Sequence, residues 1–209
     1  MAIRNSHNGK IEGKNIIKMK KSELNKINEV FEETKKLITE SESLNVQIQM
    51  VIDKTVISIK KGGKIIAMGN GGSAADAQHF VAEFIGRFYK ERKSIPALAL
   101  TTDSSIITSI GNDYSFEKIF SRQCESMVKK NDIIFAISTS GKSKNVIEGL
   151  KIAKKVGCFI VGVSGKNKKD LEKYSDIVLS VPSQSTPRIQ EIHRIILHLI
   201  CQFVEEKLS

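Results

Sequence analysis

Residues 64–84 read KIIAMGNGGSAADAQHFVAEF, and this stretch decides the fold. It opens with a short apolar run, passes through a glycine-rich loop at residues 69–73, and continues as a helical pattern. A short apolar run without polar alternation is typical of a strand buried on both faces, as in parallel sheets covered by helices. The stretch therefore predicts one strand–loop–helix unit of an α/β protein.

The same alternation of apolar runs and helical patterns continues along the chain. The predicted strands are residues 64–68, 97–100, 133–137, 159–163 and 177–181. The predicted helices that separate and follow them are residues 73–88, 104–110, 116–128, 143–156, 168–173 and 186–208. Two more helical patterns come first, one with apolar residues from Leu24 to Ile38 and one over residues 45–60. Because strands that alternate with helices need crossover connections, the sequence predicts an α/β fold in three layers, a parallel five-stranded sheet with helices on both faces, preceded by N-terminal helices.

Length and composition fit one globular domain. We expect residues 1–16, which show no periodicity, to be disordered, and residues 17–209 to form a single domain. No apolar run reaches the roughly 18 residues that cross a bilayer, and the polar N-terminus lacks a signal-peptide pattern. The sequence therefore predicts a cytoplasmic protein without a membrane partner. Its three cysteines have no CxxC spacing and fit free thiols in the core.

The net charge of +10 raises the question of nucleic-acid binding. Much of the excess comes from lysines scattered over predicted turns and helix ends, and no aromatic residues are interleaved with them to stack on bases. We therefore expect no nucleic-acid partner, and the charge is compatible with a small anionic ligand.

Two strand-to-helix loops are the candidate binding elements, because ligands of parallel sheets bind beyond the carboxyl ends of the strands. The first, residues 69–73, has neither P-loop nor Rossmann spacing, so a ligand site and a structural turn are equally compatible with it. The second, residues 138–143 (STSGKS), offers four hydroxyls at a helix start. Capping by Ser143 would explain one of the four, so we favour phosphate binding there.

Candidate acid–base groups lie on two predicted helices. His79 and Glu83 are spaced i, i+4 and therefore share a helix face, where they can hold a metal or act as a carboxylate base beside an imidazole. A plain surface pair is the alternative, which the nearby glycine-rich loop makes less attractive. On the last helix, Gln190, His193 and His198 interrupt an apolar surface, either as hydrogen-bonded core groups or as ligands and catalysts.

Four separated segments of the chain resemble the phosphoheptose isomerases, a family with the sugar-isomerase (SIS) fold, which is flavodoxin-like. The segments are residues 69–88 (GNGGSAADAQHFVAEFIGRF), 96–123 (PALALTTDSSIITSIGNDYSFEKIFSRQ), 138–153 (STSGKSKNVIEGLKIA) and 186–205 (TPRIQEIHRIILHLICQFVE). The resemblance runs from about residue 20 to the C-terminus. Pro187 is a departure, since many relatives have another residue there.

The resemblance implies a set of site residues. The implied substrate-binding residues are Asn70, Gly71, Gly72, Ser73, Glu83, Asn112, Asp113, Ser138, Thr139, Ser140, Ser143 and Gln190. The implied ligands of one zinc ion per subunit are His79, Glu83, Gln190 and His198. It also implies a homotetramer with active sites near subunit interfaces. On an unbroken helix Gln190 and His198 stand about 12 Å apart along the axis, so a shared ion needs converging side chains or interdigitating chains.

The implied reaction converts sedoheptulose 7-phosphate into D-glycero-D-manno-heptose 7-phosphate through a cis-enediol. Glu83 would carry a proton from C1 to C2, and His198 would move protons between O1 and O2. The product would enter ADP-heptose or GDP-heptose synthesis for lipopolysaccharide, capsule or another glycoconjugate.

Three other functions compete with this one. A non-catalytic SIS protein that binds the bacterial replication initiator shares the glycine loop but lacks the catalytic glutamate and the late histidine. Both positions are filled here, by Glu83 and His198, which favours an enzyme. A phosphosugar-sensing regulatory domain lacks support because no DNA-binding appendage is present, and an enzyme for amino-sugar phosphates fits the quoted segments less well.

Overall fold

The computed structural model describes residues 21–209, so the disorder expected for residues 1–16 lies outside the described part. The chain separates into two compact units at Lys35. In the first unit, the described residues form the beginning of helix α1 (Lys21–Ser41). The second unit, Lys36–Ser209, holds the sheet, the remaining helices and every candidate site residue.

Five parallel strands form one sheet. They are β1 (Ile65–Gly69), β2 (Ala97–Ala99), β3 (Ile133–Ser138), β4 (Phe159–Ser164) and β5 (Ile177–Ser180). Their order across the sheet is β2-β1-β3-β4-β5, and all four pairings are parallel. This is the doubly wound, flavodoxin-like order, and every predicted strand is confirmed to within one residue at each end.

Helices occupy both faces of the sheet. After α1 they are α2 (Asn45–Lys60), α3 (Gly72–Ile85), α4 (Ser104–Asp113), α5 (Ile119–Met127), α6 (Lys144–Val156), α7 (Lys169–Glu172) and α8 (Thr186–Leu208). Short 3-10 turns at Glu42–Leu44 and Phe116–Lys118 precede α2 and α5. None of the helices in the described residues is long and apolar enough to cross a membrane.

Successive residues of each buried strand point to opposite faces and feed two separate cores. Ile65 and Phe135 pack with α2, α3 and α8 on one face, whereas Ile66 and Ile134 pack with α5 and α6 on the other. The three-layer prediction is confirmed. Because α3 and α8 lie on the same face, their side chains meet over much of their length.

The predicted helix at residues 73–88 ends earlier than expected. Helix α3 begins at Gly72 and ends at Ile85, and its final carbonyl groups accept hydrogen bonds from the Arg92 guanidinium, which lies beyond the helix. The expected single helix at residues 116–128 is likewise wrong in part, because its first turn is the 3-10 turn before α5. In the other direction, α4 extends three residues past its expected end at Ile110.

Candidate active site

The two candidate loops meet at the point where the strand order reverses. The chain passes outward from β1 to β2 and then returns to β3, so β1 and β3 are neighbours whose following helices lie on opposite faces. The loop at residues 69–73, hereafter the glycine loop, follows β1, and the loop at residues 138–143, hereafter the serine loop, follows β3. Ligands of doubly wound sheets bind in the crevice at such a switch point.

A reciprocal amide pair joins the two sides of this crevice. Asn70 donates from Nδ2 to Oδ1 of Asn145, and Asn145 donates from Nδ2 to Oδ1 of Asn70, both at 2.8 Å. Asn145 is buried and lies in the first turn of α6, directly after the serine loop. Sequence reasoning missed Asn145. The available signal was a polar residue on the buried side of an amphipathic helix pattern.

The glycine loop brings the backbone of α3 close to α8. Gly71 has φ +53°, a left-handed conformation that favours glycine, and it immediately precedes α3. A Cβ atom on Gly72 would lie 2.3 Å from Nε2 of Gln190, so a larger residue would force that side chain to move. Ser73 is buried behind the loop. The loop is therefore shaped for close approach rather than for a simple turn.

The serine loop gathers its hydroxyls at the amino end of α6. Ser143 stands at the N-cap of α6, yet its hydroxyl caps nothing and instead lies 2.9 Å from the hydroxyl of the buried Ser138. Ser140 is exposed and accepts a 3.3 Å hydrogen bond from the Lys142 amide, and Thr139 is half-buried. The N-terminal amides of α6 and the neighbouring hydroxyls form an arrangement that can bind an anion.

Asn112 and Asp113 do not join either loop. Both are exposed in the last turn of α4, where Nδ2 of Asn112 donates to Oδ1 of Asp113 at 2.9 Å. Their role as substrate ligands stays a prediction from the resemblance.

Side chains of α3 and α8 contact each other at successive helix turns, and we call this row of contacts the α3–α8 seam. Gln190 lies against Gly72 at the amino end of α3. One turn farther along α8, Arg194 donates to Oδ1 of Asp76 from Nη2 (2.6 Å) and from Nε (3.1 Å). One more turn along, the rings of His198 and His79 pack edge to face with centroids 5.1 Å apart. Residues four apart on a helix share a face, so α8 presents Gln190, Arg194 and His198 in one row.

His79, Glu83 and His198 form the acid–base cluster at the far end of this seam. Nε2 of His79 lies 2.7 Å from Oε1 of Glu83. One ligand atom from each of the three residues falls within 4.8 Å of the other two. All three side chains are half-buried, so the cluster is reachable from the surface and partly shielded from water. The structure thus brings together three of the four predicted zinc ligands and both predicted catalytic groups.

Burial and nearby charge set the protonation of His198. Burial lowers the pKa of His198, the charges of His79 and Arg194 lower it further, and the Glu83 and Asp76 carboxylates oppose the shift. The Phe88 ring, 5.6 Å from the imidazole between centroids, covers it on another side. A neutral imidazole can both give and take a proton, as transfer between two sugar oxygens requires.

A buried ion pair holds the segment after α3 in place. Glu205 on α8 is 1% exposed and accepts hydrogen bonds from the backbone amides of residues 88–90 and from Nε of Arg92 (2.9 Å). The same guanidinium donates to the backbone carbonyls of Glu83 (2.8 Å) and Phe84 (2.9 Å). This Arg92–Glu205 clamp therefore fixes the helix end that carries Glu83. Sequence reasoning missed it.

Other candidate groups of the sequence analysis are core residues. His193 is fully buried on α8, and burial lowers its pKa, so its ring is neutral and lies outside the acid–base cluster. The three cysteines are free and buried, as expected, and burial raises the pKa of Cys124 and of Cys158 to about 12. Such thiols are unreactive at neutral pH.

A cavity of about 560 Å³ lies along the amino half of the α3–α8 seam. Gly72, Asp76, Gln190 and Arg194 are among the residues that line it. Its lining includes Gly72 of the glycine loop and the Asp76 and Arg194 side chains, so the cavity lies beside the first two turns of α3.

The donor set of the acid–base cluster fits a zinc ion. Two imidazoles and a carboxylate are the ligands of many catalytic zinc sites, which keep further positions open for water or substrate. In addition, Nε2 of His198 is buried and has no hydrogen-bond partner among the described residues. Gln190 is not part of this group, because α8 is unbroken and Gln190 faces Gly72 two turns away.

Known proteins match this chain over most of its length. The model of the SIS domain family matches residues 29–165. A phosphoheptose isomerase from Campylobacter jejuni is 49% identical over 183 residues, which cover 88% of this chain and 98% of that protein. Among solved structures, phosphoheptose isomerases from Francisella tularensis (34% identity, TM-score 0.85) and Neisseria gonorrhoeae (36% identity, TM-score 0.81) each align with 88% of this chain and 98% of their own.

Proposed function

This chain belongs to the SIS-domain family and, within it, to the phosphoheptose isomerases, and from this premise we propose that it converts sedoheptulose 7-phosphate into D-glycero-D-manno-heptose 7-phosphate. It is a sugar-phosphate isomerase. The observation that carries the residue assignment is the convergence of Glu83, His79 and His198 within 4.8 Å at one end of the α3–α8 seam.

The serine loop binds the phosphate in this proposal. Ser138, Thr139, Ser140 and Ser143 supply hydroxyl donors, and the first amides of α6 supply further donors with the favourable end of the helix dipole. Asn70 and Asn145, already paired across the crevice, would orient the sugar hydroxyls next to it.

Glu83 acts as the base. It would remove a proton from C1 of the ketose and return it to C2 of the enediol, which turns the ketose into the aldose without net loss of a proton. The 2.7 Å contact with His79 orients the carboxylate, and the Arg92–Glu205 clamp holds its helix turn. A single carboxylate can serve both carbons because they are adjacent.

His198 moves the second proton. As C2 is reprotonated and C1 becomes the carbonyl carbon, a proton must pass between O1 and O2. While no ion occupies its acceptor nitrogen, a neutral imidazole with one protonated and one bare nitrogen can serve both oxygens, and the lowered pKa of His198 favours that neutral form.

Zinc is part of the proposal as a cofactor held by His79, Glu83 and His198, with Gln190 as the fourth ligand that the resemblance implies. When bound, zinc would act as a Lewis acid that polarises the sugar carbonyl. Gln190 of the same copy stands about 12 Å from His198 along α8, so we propose that the homotetramer matters for completing the site. A cytoplasmic location and entry of the product into heptose-containing glycoconjugates complete the proposal.

A coupled assay with sedoheptulose 7-phosphate and the full-length protein tests the substrate assignment. We expect formation of the aldose heptose 7-phosphate, detected by a periodate or enzymatic coupling step. Binding of the sugar phosphate without any turnover would overturn the enzymatic assignment. The alternative would then be a non-catalytic SIS protein, although the similar proteins described above are phosphoheptose isomerases.

A further inference from the structure

Arg194 occupies a position next to the proposed zinc ligands that the reaction above does not use. Its Nε and Nη2 atoms bind Oδ1 of Asp76, a carboxylate that is 4% exposed, and its Nη1 atom contacts Nδ1 of His79. A buried carboxylate with this fixed partner holds the guanidinium in place. Arg194 is therefore an anchored cation that touches a proposed metal ligand.

The contact favours one tautomer of the His79 ring. A guanidinium only donates hydrogen bonds, so Nδ1 of His79 must accept. In a neutral ring the proton then sits on Nε2, which faces Oε1 of Glu83 at 2.7 Å and can donate to it. Both contacts of the ring agree with this one tautomer.

A metal ion needs the opposite arrangement. If the ion binds Nε2, the ring proton moves to Nδ1, where it would point at the N–H groups of Arg194. If the ion binds Nδ1, it must displace Arg194 directly. Histidines that bind metals usually donate their second N–H to a carboxylate or carbonyl oxygen, and a guanidinium cannot accept it. The positive charge of Arg194 adds repulsion in either case.

We propose that Arg194 and a zinc ion compete for His79, so that this chain binds zinc more weakly than its three-residue donor set would alone. The guanidinium serves as a built-in cation that stabilises the metal-free cluster. This inference rests on the zinc site of the proposed function and is independent of whether the chain turns over sedoheptulose 7-phosphate.

Zinc titration of the metal-free, full-length protein against a chromophoric chelator measures the competition directly. We expect Arg194→Met to bind zinc about tenfold more tightly than the wild type, since partners of ligating histidines commonly change metal affinity by 10- to 100-fold. Arg122→Met is the matched control, because Arg122 is half-exposed on α5 and pairs with Glu125. Its zinc affinity should equal that of the wild type.

A second variant separates competition from a freed carboxylate. Arg194→Met leaves Asp76 without a cation, and the bare carboxylate could itself attract zinc. The double variant Asp76→Asn/Arg194→Met has no such charge, and we expect it to keep most of the tenfold gain. Equal affinity of the double variant and the wild type would overturn the proposal, and so would the absence of zinc binding in all variants.

The tautomer of His79 provides a readout that involves neither metal nor substrate. The chain has four histidines, so long-range ¹H–¹⁵N spectra of the metal-free protein can resolve each ring. We expect His79 to carry its proton on Nε2 in the wild type and to lose this strong preference in Arg194→Met. A proton on Nδ1 in the wild type would contradict the proposal.

Discussion

The serine loop and the acid–base cluster are built from different chemistry. The serine loop uses uncharged hydroxyls and backbone amides, and its Ser138 and Ser143 hydroxyls already satisfy each other. The cluster uses ionisable groups close together, and Nε2 of His198 is left without a partner among the described residues. In the proposed function, this difference assigns substrate binding to the loop and the chemical step to the cluster. Changes in the loop should affect substrate affinity, and changes in the cluster should affect the rate of the chemical step.

The largest expected effect is that of Glu83→Gln. The amide cannot accept the C1 proton, so kcat should fall by about 10³-fold, within the range attributed to a general base, while KM changes little. Steady-state kinetics with sedoheptulose 7-phosphate measure both constants. Glu91→Gln is the control, because Glu91 is 90% exposed and close to the same helix end. A raised KM with an unchanged kcat in Glu83→Gln would show that Glu83 contributes to substrate binding, as the serine loop is proposed to do, and not to the chemical step.

The next largest effect is on stability and comes from the Arg92–Glu205 clamp, which holds the helix end that carries Glu83. Glu205→Gln removes the charge that pairs with buried Arg92, and breaking a buried ion pair in this way costs about 3 kcal/mol in the free energy of unfolding. Urea denaturation measures this cost. Glu125→Gln, which breaks the half-exposed pair with Arg122, should cost less than about 0.5 kcal/mol. Similar costs for the two variants would show that the clamp does not stabilise the helix end.

Acid should weaken the same clamp. Burial alone would raise the pKa of Glu205, but three backbone donors and Arg92 outweigh burial and hold the pKa below its ordinary value of 4.5. As the pH falls, the Glu205 carboxylate takes up a proton in the unfolded chain before it does so in the folded chain. The stability that this carboxylate contributes is therefore present above pH 4.5 and is lost as the pH falls toward the lowered pKa. Unfolding curves below pH 4.5 should therefore show a steeper loss of stability in the wild type than in Glu205→Gln.

The smallest effect distinguishes substrate binding from helix capping in the serine loop. Ser143→Ala should raise KM about tenfold through loss of a phosphate contact. Its hydroxyl caps nothing and pairs with buried Ser138, so in a Ser138→Ala background the same substitution should leave the free energy of unfolding unchanged. Asp103→Ala is the comparison, since Asp103 caps α4 by accepting from the Ile106 amide at 2.9 Å. That variant should lose about 1 kcal/mol of stability. A similar stability loss from Ser143→Ala in the Ser138→Ala background would restore the capping role.

The strands and the serine loop were predictable because their signals are local. Five short, largely apolar runs mark buried parallel strands, and clustered hydroxyls after β3 mark the loop that we propose binds phosphate. The end of α3 was not predictable, because Arg92 caps it from outside the helix and is itself held by Glu205, 113 positions later. Arg194 was missed for the same reason, since its partner Asp76 lies 118 positions earlier. The role of Asn145 was not predictable either, because its partner Asn70 comes next to it only through the strand order at the switch point.

The most direct test of the account is proton exchange during turnover. With sedoheptulose 7-phosphate in D₂O, ¹H NMR should show deuterium at C2 of the aldose product, because the carboxylate of Glu83 exchanges the transferred proton with solvent. Glu83→Gln should show neither product nor exchange at C1. Deuterium incorporation and product formation by Glu83→Gln at the wild-type rate would contradict the role of Glu83 as the base.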